Sequence, residues 1–186
     1  MFRPPSWCTL LILAAGLLVA GIVGLAYVHP WAAFQPHRES SAVLRRFELL
    51  GDSALASRDV PVAAVLLYAG AEVGAGFNTV VRDGNAGGHA EINAISSALR
   101  SVGERRFTRM NRDSLVLVTT FEPCAMCRAA LVHYGIRIVR ILKRKPAAEL
   151  IGEDIRVLRY YWRRIISGPA SLQDTMFRRH PDYRGE

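Results

Sequence analysis

Two short runs hold the residues with the clearest capacity for chemistry: His89-Ala90-Glu91, and Pro123-Cys124-Ala125-Met126-Cys127 about thirty residues later. One imidazole and two thiolates make a three-ligand zinc site. Three protein ligands with an open fourth position are the mark of catalytic rather than structural zinc. A water in that position has its pKa lowered from about 15.7 toward about 7, which makes hydroxide available at neutral pH. Glu91 as a fourth ligand would close the position. Beside it, the carboxylate is placed to carry protons. His89, Cys124 and Cys127 are candidate zinc ligands on this chemistry, with Glu91 a candidate acid and base.

The spacing implies the elements that must hold these groups. After His89 the apolar positions Ile92, Ala94, Ile95, Ala98, Leu99 and Val102 form a helical stripe. After Pro123, a residue suited to a helix start, Met126, Ala129, Ala130, Leu131 and Val132 continue in the same way. Cys124 and Cys127, at i and i+3, share one helix face, and the positive helix end favours their thiolates. His89 and Glu91 stand at i and i+2, which on a helix wall point apart. They converge only if the helix aims its N-terminus at the metal.

Around these helices the sequence predicts a strand at 60–66, a second at 74–78 after a hairpin, a third at 116–120 running into the cysteine turn, and a fourth at 136–142. A helix is expected at 41–56. Another is expected at 148–166, with Leu150, Ile151, Ile155, Leu158, Trp162 and Ile165 on its buried face. The alternation of strands and helices predicts an α/β fold.

This order of elements and motifs resembles the cytidine deaminase-like superfamily, whose pattern is His-x-Glu followed by Pro-Cys-x-x-Cys. The resemblance covers residues 60–142, and the helix at 41–56 also fits. Phe121-Glu122-Pro123-Cys124-Ala125-Met126-Cys127 is most similar to the tRNA adenosine and guanine deaminases. His89-Ala90-Glu91-Ile92-Asn93-Ala94-Ile95 is as similar to deoxycytidylate deaminases, and Tyr134-Gly135-Ile136 to cytosine deaminases. The resemblance implies a three-layer α/β/α domain around a central mixed sheet. It also implies one zinc ion per chain held by His89, Cys124 and Cys127. The reaction it implies is hydrolytic deamination of a nucleobase (free, or within a nucleoside, nucleotide or nucleic acid) with release of ammonia, Glu91 acting as proton shuttle. Asn78 matches the family asparagine that contacts the substrate base or sugar. From local sequence alone, Asn78 also reads as a turn residue after Gly76. Beyond the fourth strand the chain departs from the tRNA adenosine deaminases. They continue with Gly-Ala-Arg-Asp, whereas this chain has Leu142-Lys143-Arg144-Lys145-Pro146.

Other readings of the cysteines stay open. A redox dithiol has no use for His-x-Glu on a separate helix. Structural zinc needs a fourth ligand, and Cys8, His29, His37, His133 and His180 all stand outside ligand spacing. A non-catalytic, membrane-tethered zinc scaffold of the same fold is the alternative from another functional class.

The 186 residues, 51% of them hydrophobic, suffice for one globular domain and an accessory segment. Residues 7–28 contain no charge and, as a helix, would reach about 33 Å, enough to cross a bilayer core. Trp7 at one end and Tyr27 and Trp31 at the other suit interfacial anchors. The expected organisation is a membrane anchor and linker at 1–36, a deaminase domain at 37–166 and a tail at 167–186. Arg38, Arg45 and Arg46 after the span favour a cytoplasmic domain on a single-pass protein. Export after cleavage of a signal peptide is the alternative. Gly16, Ala20 and Gly24 form a small-residue ridge on which two spans could pack, so a homodimer is an expectation. The formal charge of +8 suits nucleic acid, anionic lipid or merely a solvated face, and by itself selects none of them.

Overall fold

In the computed structural model the described residues are 7, 11–21, 38–163 and 176–179. They fall within two compact units, residues 1–144 and 145–186.

The first unit is built on a four-stranded mixed sheet: β1 (Ala63–Tyr68), β2 (Ala71–Phe77), β3 (Leu115–Phe121) and β4 (Ile138–Lys143), in the order β2-β1-β3-β4. β1 pairs antiparallel with both β2 and β3, while β3 and β4 run parallel. The helices are α1 (Ser41–Ala56), the single turn α2 (Val80–Asp83), α3 (Ala90–Val102), α4 (Glu104–Thr108) and α5 (Ala125–His133). Helix α5 is the crossover that the parallel β3–β4 pair requires.

Alternation along β1 divides the core in two. Ala63, Val65 and Leu67 pack with Phe47 and Leu50 of α1 on one face. Ala64 and Leu66 pack with Ala90, Ala94, Ile95 and Ala98 of α3 and Leu131 of α5 on the other. Helices on both faces of a mixed sheet give the three-layer α/β/α arrangement that the sequence implied. Helix α1 coincides with the predicted span, its N-terminus capped by the Ser40 hydroxyl, which accepts from the Val43 amide at 3.3 Å. The first strand starts three residues later than predicted, and of the run ahead of it Val62 lends its carbonyl to the Asn78 amide at 3.0 Å. The predicted strand at 136–142 is paired only from Ile138.

Strand β2 and helix α3 approach with no side chain between their backbones. A Cβ built on Gly74 would lie 2.4 Å from the Ala94 carbonyl oxygen and 2.6 Å from the Ala98 amide. One on Gly76 would lie 2.5 Å from the Ala94 amide and 2.6 Å from the Ala90 carbonyl oxygen. Glycine on the strand meets alanine at i, i+4 and i+8 on the helix, and α3 lies flush on the sheet.

Helix α6 (Ala147–Arg163) belongs to the second unit and corrects an expectation. Most of its predicted core stripe is exposed: Ile151, Ile155, Leu158 and Trp162 face solvent, Leu150 is half-buried, and the buried residue is Glu153, paired with Lys145. The amphipathic period was read correctly, but a period does not supply a partner. Ile165 lies outside the described residues. Within β4, Arg140 pairs at 3.5 Å with Glu39, whose side chain is buried.

The predicted membrane span is described only in part. Residues 11–21 are helical, with Leu11, Ile12, Leu17 and Leu18 exposed. Among the described residues no helix is long and apolar enough to cross a membrane. The rest of the predicted span, the linker and most of the tail lie outside the described residues.

The close approach of β2 and α3 predicts opposite signs for two glycine substitutions. Gly76→Ala must move α3 or β2 and should cost about 3 kcal/mol or more, the upper range for overpacking. Gly51→Ala, in α1 with nothing within 4 Å of the new methyl, should add about 0.5–1 kcal/mol. Urea unfolding of the two variants against the parent chain measures both.

Candidate metal centre

Two helices point their N-termini at one spot. His89 is the N-cap of α3, with extended backbone (φ −75°, ψ 150°), and its carbonyl accepts the Asn93 amide at 2.9 Å. Glu91 follows in the first helical turn. Cys124 is the N-cap of α5 (φ −71°, ψ 171°), its carbonyl accepts the Arg128 amide at 2.9 Å, and Cys127 lies in the first turn. Pro123 thus precedes the cap rather than opening the helix. The i, i+2 spacing of His89 and Glu91 works because His89 is non-helical, so both side chains leave the helix end toward the same point.

The three candidate ligand atoms form a near-equilateral triangle. His89 Nδ1 lies 3.5 Å from Cys124 Sγ and 3.6 Å from Cys127 Sγ, and the two sulfurs are 3.7 Å apart. Zinc–sulfur bonds of about 2.3 Å and zinc–nitrogen bonds of about 2.0–2.1 Å at tetrahedral angles require edges of about 3.8 Å between sulfurs and about 3.6 Å between sulfur and nitrogen. The triangle is therefore already the base of a zinc tetrahedron. No other group of three His, Cys, Asp or Glu side chains with metal-binding spacing occurs among the described residues.

Charge at the site is arranged by burial and by the two thiols. Glu91 is 4% exposed, and burial raises its pKa above the ordinary carboxylate range. Its Oε2 accepts a long hydrogen bond from Cys127 Sγ at 3.5 Å, which places the carboxylate at the rim of the triangle. Without metal the thiols share protons unequally. Contact with the Cys127 sulfur at 3.7 Å lowers the Cys124 pKa to about 5. The same contact, together with burial and the Glu91 charge, drives the Cys127 pKa upward.

Asn78, at the end of β2, is half-buried. Its Oδ1 accepts the Val80 amide at 3.0 Å, the turn role its local sequence allowed. With the oxygen bonded to Val80, the amide N–H groups of Asn78 are what it has most readily to offer a ligand.

Several residues that shape this region were not singled out from sequence. Buried Asp59 accepts from the Val81 and Arg82 amides at 2.6 and 3.1 Å and from the Ser57 hydroxyl at 2.8 Å, fixing the α2 turn just after Asn78. These bonds outweigh its desolvation and hold its pKa low. Glu122, before Pro123, is also buried. Asn93 and Thr79 join the two sides of the site. The one sequence signal for Asn93 is that it is polar within the apolar run from Ile92 to Ile95.

Comparison with known proteins agrees with this geometry. The tRNA-specific adenosine deaminase 2 of Xenopus laevis is 33% identical over 120 residues, covering 60% of this chain and 67% of that protein. The tRNA(Ile)-lysidine synthase of Deinococcus deserti is 30% identical over 128 residues, which cover 67% of this chain but only 23% of the relative. The matched region likewise spans 49% of the tRNA-specific adenosine deaminase of Buchnera aphidicola, so this chain corresponds to only part of several relatives. Guanine deaminase from Bacillus subtilis superposes with a TM-score of 0.57 at 21% identity, covering 80% of this chain and 99% of that one, a likeness of fold. Residues 38–143, more than half of the chain, match the cytidine and deoxycytidylate deaminase zinc-binding region, and the chain belongs to that family.

Proposed function

We propose that this chain is a zinc-dependent hydrolytic deaminase of a nucleobase. The observation that carries the proposal is the buried Glu91 carboxylate at the rim of a three-ligand zinc triangle. A purely structural site has no use for that carboxylate, and leaving it buried is costly. Zinc held by His89, Cys124 and Cys127 would supply Lewis acidity and lower the pKa of a coordinated water.

The chain's own residues then divide the work. Glu91, its pKa raised by burial, is suited to both accepting and returning a proton, because a group titrating nearer neutrality serves as both base and acid. It accepts a proton from the attacking water and delivers it to the ring nitrogen beside the amino-bearing carbon. It then takes the second proton from the hydroxyl added to that carbon and passes it to the departing amine, which leaves as ammonia as the carbonyl forms. Asn78 donates from its amide nitrogen to an acceptor on the base or sugar. Adenine in tRNA heads the substrate candidates, since the Xenopus relative carries that specificity in its name and the +8 charge suits a polyanion. We further propose that the apolar N-terminal segment anchors the chain in a membrane with the deaminase domain (residues 37–166) on the cytoplasmic side, and that the chain forms a homodimer. The exposed leucines of residues 11–21 support the anchor.

Ammonia release by the full zinc-loaded chain, measured across free bases, nucleosides, nucleotides, single-stranded nucleic acids and tRNA, tests the reaction. Silence on the whole panel with one zinc per chain would replace the enzyme with a zinc-binding scaffold. Glu91→Gln should keep its zinc and lose at least about 10²–10⁴-fold in kcat, the usual contribution of a general acid/base.

Metal loading should be coupled to protons in a definite direction. Near neutral pH the metal-free site holds Cys124 as thiolate and Cys127 as thiol, and zinc requires both as thiolates. Zinc uptake should therefore release one proton from the cysteine pair. Above neutral pH, apparent affinity should rise about tenfold per pH unit while Cys127 retains its proton. Calorimetric titration in buffers of different ionisation enthalpy counts the proton, and a count of zero or two contradicts this assignment.

A further inference from the structure

We infer that Asn93 is a positioning residue that locks the substrate-side loop to the metal-side helix, so that Asn78 and His89 keep one fixed separation. Its carboxamide nitrogen donates to the Phe77 carbonyl at 2.8 Å, to the Thr79 hydroxyl at 3.0 Å and, more weakly, to the Gly88 carbonyl at 3.3 Å. Phe77 and Thr79 flank Asn78, and Gly88 precedes His89. One side chain thus grips the peptide on both sides of Asn78 and the peptide that delivers the metal ligand.

The surroundings leave this grip no slack. The Thr79 amide donates to the Gly88 carbonyl at 2.7 Å, closing the loop directly. A Cβ on Gly88 would lie 2.8 Å from Thr79 Oγ1, and one on Gly76 would lie 2.6 Å from Asn93 Cβ. Thr79 is 3% exposed, and its hydroxyl accepts from Asn93 at 3.0 Å. A carboxamide nitrogen donates and does not accept, and the Phe77 and Gly88 carbonyls only accept, so the direction of all three bonds is fixed: Asn93 must donate. A carboxylate at position 93 would have the same shape and no donors. It would face the Phe77 and Gly88 carbonyl oxygens, both acceptors.

Asn93→Asp therefore separates positioning from packing. The kinetic part of the test rests on the deaminase proposal; the metal part does not. The full chain carrying Asn93→Asp is loaded with cobalt(II) in place of zinc, whose visible bands report ligand geometry without substrate. The expected result is shifted bands and metal affinity weaker by about tenfold or more, the usual effect of disturbing groups that orient ligands. KM for the base identified by ammonia release should rise by a larger factor than kcat falls, because Asn78 is displaced. Thr79→Ser, which keeps the hydroxyl, should match the parent chain in bands, affinity and kinetics. Native bands and affinity in Asn93→Asp, with only a lower Tm, would overturn the inference and leave Asn93 a packing residue. If Asn93→Asp does not fold, Thr79→Val removes the acceptor of the same bond, and unchanged bands there overturn it equally. A chain with no deaminase activity but shifted bands would fail the functional proposal and keep this one.

Discussion

The closeness of β2 to α3 governs much of what the first unit can do. Gly74 and Gly76 have no side chain to hold the helix off, and Ala90, Ala94 and Ala98 present methyl groups or bare backbone to them. Any larger residue on either side would move α3 outward by the width of a side chain. A lateral shift of that size at the helix wall is the same shift at the helix end, because a helix of 13 residues moves as a rod. His89 and Glu91 lie at that end, and edges of 3.5–3.7 Å in the ligand triangle tolerate little displacement. Packing precision at the sheet becomes geometric precision at the metal.

Bringing two helix N-termini together also has an electrostatic cost, since each carries about half a positive charge. Thiolates offset it. Without metal, one negative charge resides on Cys124, and buried Glu91 is biased toward its neutral form. Zinc would bring a double positive charge for two thiolates to balance, and the fields of both helix ends would act on whatever approaches it. Protons and metal therefore compete for the same sulfurs, and the resting charge of the site is set by which of them is bound.

Much of this was legible in the sequence because the decisive groups lie within a few residues of a helix start. Cys124 and Cys127 share one turn, and His89 with Glu91 share another, so local periodicity placed all four. Helix α1 was legible for the same reason: its apolar positions and its Ser40 cap are local. What escaped was non-local. Asp59 caps a turn more than twenty residues away, and Asn93 reaches back sixteen residues to Phe77; nothing in either neighbourhood announces such a partner. Helix α6 escaped in the opposite sense. Its period of apolar residues was plain, but burial needs a second surface, and Ile151, Ile155, Leu158 and Trp162 remain exposed while Glu153 is covered.

Several polar groups around the site are held in place. Asp59 is held by two backbone amides and a hydroxyl, the Thr79 hydroxyl accepts from Asn93, and Asn78 gives its oxygen to the Val80 amide. Glu91 is held more loosely. It stands 4% exposed, and its contact beyond its own backbone is a long one, to a sulfur that zinc would claim. Evenly satisfied neighbours make a rigid frame, because moving any of them breaks a bond that water cannot easily replace. A carboxylate left under-satisfied inside such a frame keeps its capacity to bond for something that arrives later. Proton transfer needs that combination, with donors and acceptors that do not move around one group whose hydrogen bonds remain to be made.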